Sequence, residues 1–300
     1  MIMNKICVLM STYNGDKYII EQIESILNQK KVNVELLIRD DGSTDKTLEI
    51  LEEYSKKYKN LKYYSGQNLK TARSFMDLLF RAGEYEYYSF SDQDDVWDLD
   101  KLTVGISYLK DDYHLYGCSK RIVNENLKLL DREDENVYSL ELGATILRGR
   151  ISGCTMIFDK FLRNEIIKYN PQVITMHDSW ILRVASCLGQ IYYDKRPHIS
   201  YRQHAQNVVG ARKTLLEISR LRIKNFKNRK NDKTRVEIAK QLYQEYGQHL
   251  NKFEKKNLYY FAYSREKIVY RLKLFIGNFL KGENFLDTFC IKLLVLIGLS

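Results

Sequence analysis

Tyr85-Glu86-Tyr87-Tyr88-Ser89-Phe90-Ser91-Asp92-Gln93-Asp94-Asp95-Val96-Trp97 is the stretch on which the reading of this chain turns. Tyr85–Phe90 has the aromatic character of a strand and stops at Ser91-Asp92. Three carboxylates then fall within four residues. Left unpaired, they repel one another. A divalent cation removes that cost, and hard oxygen ligands suit Mg²⁺ or Mn²⁺. A cation held mostly by one carboxylate keeps positions open for phosphate oxygens and can act as a Lewis acid on a diphosphate leaving group. A solvated acidic turn capping the next helix is the alternative the same residues allow.

Toward the N-terminus the pattern alternates. Ile6–Ser11 is a short apolar run, as a strand covered on both faces should be. Lys17–Gln29 repeats Ile19, Ile20, Ile23, Ile26 and Leu27 at helical spacing. Val34–Ile38 is a second buried strand, followed by Arg39-Asp40-Asp41. Ser43 or Thr44 then caps a helix that carries Asp45 in its first turn and runs to about Tyr58. Leu61–Tyr64 reads as a third strand and Thr71–Ala82 as a third helix. This βαβαβαβ order predicts a parallel sheet between helices. Right-handed crossovers place Asn14, Asp41 and Asp92 along one edge, where open α/β sheets bind ligands. Two strand ends there, Ser11-Thr12-Tyr13-Asn14-Gly15 and Arg39-Asp40-Asp41-Gly42-Ser43-Thr44-Asp45, suit a planar base: the Tyr13 ring can stack on it and Asp41 can accept a pyrimidine imide N–H. Ordinary turn and cap chemistry is the competing use of these residues.

Toward the C-terminus the pattern loosens. Lys101–Leu109 reads as helix, Tyr113–Val123 as strand, and the acidic Asp131–Glu135 as a loop. Gly153–Phe158 is a strand, Phe161–Ile167 a helix, and His177–Leu188 a helix with Trp180, Ile181, Val184 and Leu188 on one face. Ile191–Tyr193 and His198–Tyr201 are short strands, and the pattern is helical from Lys213 to the end.

The three motifs, STYNG, then RDDGSTD about 25 residues on, then SDQDDVW about 50 further, resemble glycosyltransferase family 2, above all its bacterial rhamnosyltransferase-like members. The resemblance extends through Ser152-Gly153-Cys154-Thr155-Met156, Met176-His177-Asp178-Ser179-Trp180 and Tyr201-Arg202-Gln203-His204, covering roughly residues 4–210. It implies an α/β Rossmann-like nucleotide-diphospho-sugar transferase fold of the GT-A type. By similarity Ser11, Tyr13 and Asp41 hold the pyrimidine, Asp92 sits near the ribose, and Asp94 of the Asp92-Gln93-Asp94 DXD motif ligates the metal. Arg73 matches an arginine that neutralises donor charge, although many members carry Gly where Lys70 stands here. Asp178 matches the base that takes the acceptor proton in a single inverting displacement, as that chemistry requires. Arg202 and His204 follow a strand and can reach the diphosphate across the cleft. Trp97, Trp180 and His177 are candidates for the acceptor side, with core packing as the competing fate of each.

The bulk numbers are consistent with one core plus an appendage: 300 residues, 44% apolar. Residues 1–210 hold 28 Lys+Arg against 30 Asp+Glu, whereas 211–300 hold 20 against 8, so the net charge of +10 belongs to the C-terminal third. We therefore read 1–210 as a catalytic domain (1–100 nucleotide-binding, 101–210 acceptor-binding) and 211–300 as a basic helical extension. Cations among apolar residues over Lys213–Lys230 suggest a helix lying on an anionic membrane surface. The apolar residues of 284–299 suggest a helix that dips into the interface or docks on the catalytic domain, because the stretch is shorter than the ~20 residues a spanning helix needs. A basic bundle closing a homo-oligomer is the alternative. No DNA- or RNA-reading motif accompanies the charge, so nucleic acid is not the expected partner. Cys7, Cys118, Cys154, Cys187 and Cys290 are odd in number and scattered, as buried free thiols of a reducing compartment would be. The expected partners are a dTDP- or UDP-sugar donor and a glycan or lipid-linked acceptor. The expected location is the cytoplasm, peripheral on the inner face of the membrane. A non-catalytic sugar-nucleotide-binding scaffold is the alternative function.

Overall fold

The computed structural model describes residues 3–109, 113–133, 139–149, 151–204 and 233–299. Its first half is the alternation the sequence predicts: β1 (Asn4–Thr12), α1 (Ile19–Leu27), β2 (Val32–Asp40), α2 (Thr47–Lys57), β3 (Leu61–Ser65), α3 (Lys70–Arg81) and β4 (Tyr87–Ser91). β3, β2, β1 and β4 lie side by side and parallel. The α2 cap differs from expectation. The Ser43 hydroxyl turns back to donate to Asp40, and Asp45 instead accepts from the Thr47 backbone N–H at 3.0 Å. An Asp side chain two residues ahead can satisfy a first-turn donor as Ser or Thr does.

Beyond β4 the sheet becomes mixed. β5 (Val96–Trp97), α4 (Lys101–Leu109), β6 (Leu115–Val123), β7 (Leu129–Glu133), α5 (Leu142–Thr145), β8 (Ile157–Asp159), α6 (Lys160–Ile167), α7 (His177–Leu188) and β9 (Ile191–Arg202) follow. The strand order is β3-β2-β1-β4-β8-β6-β9-β5, with β7 on β6. Three expectations change here. Asp131–Glu133 belongs to β7, an antiparallel partner of β6, and not to a loop. Its hairpin is closed by Asn124, whose Oδ1 accepts from Asn126 N–H at 3.0 Å and Lys128 N–H at 2.9 Å, and a polar edge strand shows no apolar alternation. Gly153–Thr155 is a 3₁₀ turn, so the strand expected over Gly153–Phe158 shrinks to Ile157–Asp159. The two short strands expected after α7 are one, β9, which crosses Pro197 at a register shift against Ser119 of β6. A strand proline is tolerated where the ladder is already irregular.

Side chains alternate across the sheet. Ile6, Val8 and Met10 of β1 enter a core with Ile23, Ile26, Leu36, Ile38 and Leu51. Cys7 and Leu9 enter the opposite one with Phe75, Phe90 and Phe158. Trp97 belongs to the first core and Trp180 to the second, at 3% and 1% exposure. Their indoles therefore pack inside the molecule and do not face a sugar, which corrects the acceptor-side assignment of both. Four thiols are buried, but Cys290 is exposed.

The C-terminal helices are α8 (Thr234–Tyr246), α9 (Lys252–Ala262), α10 (Ile268–Ile276) and α11 (Phe285–Leu296). Ile238, Leu242, Leu258, Phe261, Leu274 and Val295 share the core of Trp180 and Val184. Gln241 clamps α8 to the 169–173 loop: its Oε1 accepts from Tyr169 Oη, Gln172 N and Val173 N, and its Nε2 donates to Val173 O at 3.0 Å. Among the described residues no helix is long and apolar enough to cross a membrane. The Lys213–Lys230 segment lies outside the described residues.

Candidate active site

A cleft of about 550 Å³ opens over the C-terminal ends of β1, β2 and β4. Tyr13, Asn14 and Asp41 line one part of it; Asp92, Asp94, His177, Asp178 and His204 line the rest. The edge predicted for Asn14, Asp41 and Asp92 is thus where the cavity lies.

The β1–α1 and β2–α2 loops are tied to each other. Asn14, at φ 48°, accepts from Thr44 N–H at 2.8 Å, while Asn14 N–H and Gly15 N–H donate to Ser43 and Thr47 hydroxyls at 2.9 Å each. Gln93 holds the same loop from the other side. Its Oε1 accepts from Thr12 Oγ1 at 2.6 Å and Tyr13 N–H at 2.8 Å, and a Cβ at Gly15 would stand 2.4 Å from it. The middle residue of the acidic motif therefore positions Tyr13, a role the carboxylate count did not show. Tyr13 is left 47% exposed, its ring free to stack. Ser11 Oγ hydrogen-bonds Ser74 Oγ at 2.6 Å at the base of the cleft. Asp41 is buried, paired with Arg39, and accepts from Leu69 N–H at 2.8 Å and Lys70 N–H at 3.0 Å. Lys70 sits at φ 63°, the left-handed region that favours glycine.

The acidic turn is pinned from beneath. Arg202, 1% exposed, donates through Nε to Asp94 O at 2.8 Å and through its backbone N–H to Asp95 Oδ1 at 3.1 Å, pairs with Glu21, and lies 4.5 Å over the Tyr18 ring. Its guanidinium supports the turn and does not line the cleft, which corrects the expectation that it reaches the diphosphate. His204 does line the cleft, stacks on Tyr18 and contacts Asp94 Oδ2 through Nε2 at 2.7 Å. Arg73 is turned away toward Asn170 Oδ1 at 3.2 Å and Gln172 O at 2.8 Å, outside the lining of the cleft.

Burial, then the charges of Asp94 and Asp178, pushes the Asp92 carboxyl up to about 7. Burial with Asp94 and Asp92 likewise raises Asp95 well above the usual carboxylate range, and Asp95 Oδ2 has no hydrogen-bond partner among the described residues. Such a set fits a cation: several hard oxygens held together at a cost that Lys120 offsets only in part. Atoms of Asp92, Asp95 and Cys154 come within 4.8 Å of one another, but burial keeps the Cys154 thiol protonated and sulfur suits a softer metal. Asp94, with Asp92 and His204 beside it, is the set that faces the cavity.

Lys120 of β6 also lines this cleft, 7% exposed, its Nζ donating to Ser152 Oγ at 2.8 Å and lying 4.4 Å over Tyr201. It offsets the acidic groups around Asp92. The signal for it was a lone lysine inside an otherwise buried strand. Asp178 opens α7; its Oδ2 accepts from Gly153 N–H at 3.3 Å and its Oδ1 from Ser179 N–H. Gly153 has no room for a Cβ, which would fall 2.5 Å from His177 Nε2. His177 stacks on Phe75 at 4.0 Å and meets Phe90 edge-on at 4.9 Å; burial lowers its pKa to about 4, so the ring is neutral.

Residues 7–185 match the model of the family described as glycosyl transferase family 2. The chain belongs to that family. Over 219 residues this transferase is 32% identical to a dTDP-rhamnosyl transferase, RfbG, of Shigella flexneri, covering 67% of its own length and 74% of that relative. Its fold is a mixed α/β curled sheet of the GT-A type with C-terminal helices. Among solved structures it resembles S. aureus TarS in complex with UDP-GlcNAc, with a TM-score of 0.59 at 18% identity over 91% of this chain and 80% of that one. It also resembles the mannosyltransferase PcManGT of Pyrobaculum calidifontis in complex with GDP-Man and Mn²⁺, with a TM-score of 0.56 at 14% identity over 100% and 82%.

Proposed function

We propose that the transferase moves a sugar, L-rhamnose foremost, from a dTDP- or UDP-sugar onto a glycan or lipid-linked acceptor, with inversion. The observation that carries this is one cleft with Tyr13 and Asp41 in one part and Asp92, Asp94, His204 and Asp178 in the rest. The 32% identity to a dTDP-rhamnosyl transferase favours rhamnose over a hexose. Tyr13 stacks on the base, and Asp41, with three donors on its four lone-pair sites, retains one for an imide N–H. Asp94, with Asp92 and His204, would hold an Mg²⁺ or Mn²⁺ ion, which would neutralise charge on the diphosphate. The acceptor hydroxyl oxygen bonds to the anomeric carbon as the bond from that carbon to the β-phosphate oxygen breaks. The hydroxyl proton passes to Asp178, and the nucleoside diphosphate leaves with the bonding pair. Asp178 suits the base because a helix N-terminus and two backbone N–H groups fix its carboxylate beside the acidic turn.

The test pairs a thermal-shift screen of nucleotide sugars, with and without Mn²⁺, with an assay of nucleoside diphosphate release. One pyrimidine donor should raise the unfolding temperature, more so with metal. Asp178→Asn should keep that shift while losing transfer by about 10²–10⁴-fold. Full turnover in Asp178→Asn would remove it as base. Donor binding without any turnover in the unaltered chain would favour a sugar-nucleotide-binding scaffold.

A further inference from the structure

The C-terminal helices leave an apolar surface that the transfer reaction does not use. On α10 the exposed residues Ile268, Val269, Leu272 and Ile276 fall within one stripe. On α11 Phe285, Leu286, Phe289, Leu293 and, just beyond, Ile297 do the same, with Cys290 between them. Leu274 and Val295, on the far side of each helix from its stripe, are buried in the same core, so both stripes face away from the body of the protein. The two helices are neighbours, with Phe275 and Phe289 rings 6.2 Å apart. Exposure peaks at the end of the hairpin where α10 stops and α11 starts: Ile276 at 79%, Phe285 at 82% and Leu286 at 73%.

Cations and tyrosines flank this surface. Lys273 Nζ lies 4.8 Å from the Tyr260 ring and donates to its hydroxyl at 3.1 Å, Tyr260 stacks on Tyr270 at 5.1 Å, and Lys267 lies over Tyr270. On α9, Lys252, Lys255 and Lys256 are exposed around Tyr243 and Tyr259. Apolar groups exposed at the α10–α11 end, tyrosines beside α10 and exposed lysines on α9 supply the chemistry of each layer of a bilayer: acyl boundary, interface, anionic headgroup. A second copy of the chain would have to bring a like cluster of lysines against this one, whereas residues 233–299, with 12 Lys+Arg against 6 Asp+Glu, complement an anionic surface.

We propose that the α10–α11 hairpin docks on an anionic phospholipid bilayer, its tip residues Ile276, Phe285 and Leu286 entering the acyl boundary and the α9–α10 lysines meeting the headgroups. No described helix is long and apolar enough to cross the bilayer, so the contact is peripheral.

The test is sedimentation of the full chain with vesicles of phosphatidylcholine alone or with roughly one-third phosphatidylglycerol. The chain should pellet with the anionic vesicles and be released as salt is raised. Ile276→Asp/Phe285→Asp/Leu286→Asp should weaken binding by about tenfold or more, and Lys252→Gln/Lys255→Gln/Lys256→Gln should weaken it and flatten its salt dependence. All six side chains are exposed, so thermal unfolding of both variants should match the parent. Trp97 and Trp180 are buried, so a tryptophan introduced by Phe285→Trp reports its own surroundings and should shift to the blue with anionic vesicles. Three results would each overturn the proposal: the chain staying in the supernatant with both vesicle types; the triple aspartate variant pelleting like the parent; or light scattering showing an oligomer that the triple aspartate variant dissociates, which would assign the face to a second copy.

Discussion

His177 is held between Phe75 and Phe90, with neither ring nitrogen hydrogen-bonded to a described residue. Burial drops its pKa to about 4, against about 6.5 in an unfolded chain. Between these values the unfolded state binds a proton that the folded state refuses, so stability falls as pH falls from 6.5 to 4, by about 3 kcal/mol in all. Asp92, held up at about 7, acts in the opposite sense, because its folded form gains the proton first. The informative measurement is therefore a comparison: urea midpoints of parent and His177→Leu at pH 7 and pH 5, with the variant losing less stability on acidification. Lys70 offers a second residue-scale test. It occupies φ 63° while its N–H serves Asp41, and a side chain in that region costs about 1–2 kcal/mol that glycine does not meet. Lys70→Gly should raise the free energy of unfolding by about 1 kcal/mol or leave it level, whereas Lys70→Val should lower it, both read by denaturant titration. Glycine at this position in many family members then has a physical reason: the loop that delivers two backbone N–H groups to Asp41 needs that backbone.

At the level of elements, α7 depends on the loop before it, and that loop is held from two directions. Arg73 of α3 binds Asn170 and Gln172, and Gln241 of α8 binds Tyr169, Gln172 and Val173. Gln241→Ala strips partners from two backbone N–H groups, a carbonyl and a hydroxyl at once, and should cost about 2–3 kcal/mol. It should also lower turnover more than donor affinity, because the loop leads into Asp178 while the donor loops lie elsewhere; chemical denaturation and nucleotide titration separate the two. None of this clamp was legible in the sequence, because a glutamine on a helix carries no mark of which loop it will meet. The first seven elements were legible, since their apolar runs alternate with helical repeats, even in the edge strand β3, where Lys62 and Ser65 stay exposed. β7 and the unbroken β9 were not. One is a polar edge strand, and the other carries Pro197, so both lack the period that marks a strand. The site divides in the same way. Asp92, Asp94, Asp178 and His204 announce themselves as motif residues, but Gln93 and Lys120 act through geometry that only the fold supplies.

For the molecule as a whole, the shift in charge near residue 210 suggests a catalytic unit with an appendage, yet the apolar packing runs across that line. Trp180, Ile181 and Val184 of α7 share one core with Ile238, Leu242, Tyr246, Leu258 and Phe261 of α8 and α9. Charge is a property of surfaces and says little about which faces are dry inside. Each large side chain in that set contributes about 1.5–3 kcal/mol by leaving water, so five of them together are comparable to the roughly 5–15 kcal/mol by which a domain is stable. Residues 1–210 alone would expose the partner face of α7 and the base of the loop that Gln241 holds. That fragment should be cleaved rapidly in limited proteolysis and show no cooperative thermal transition, whereas the full chain should melt as one unit. A sharp transition for residues 1–210, with donor binding retained, would show that the C-terminal helices are an accessory and not part of the catalytic body.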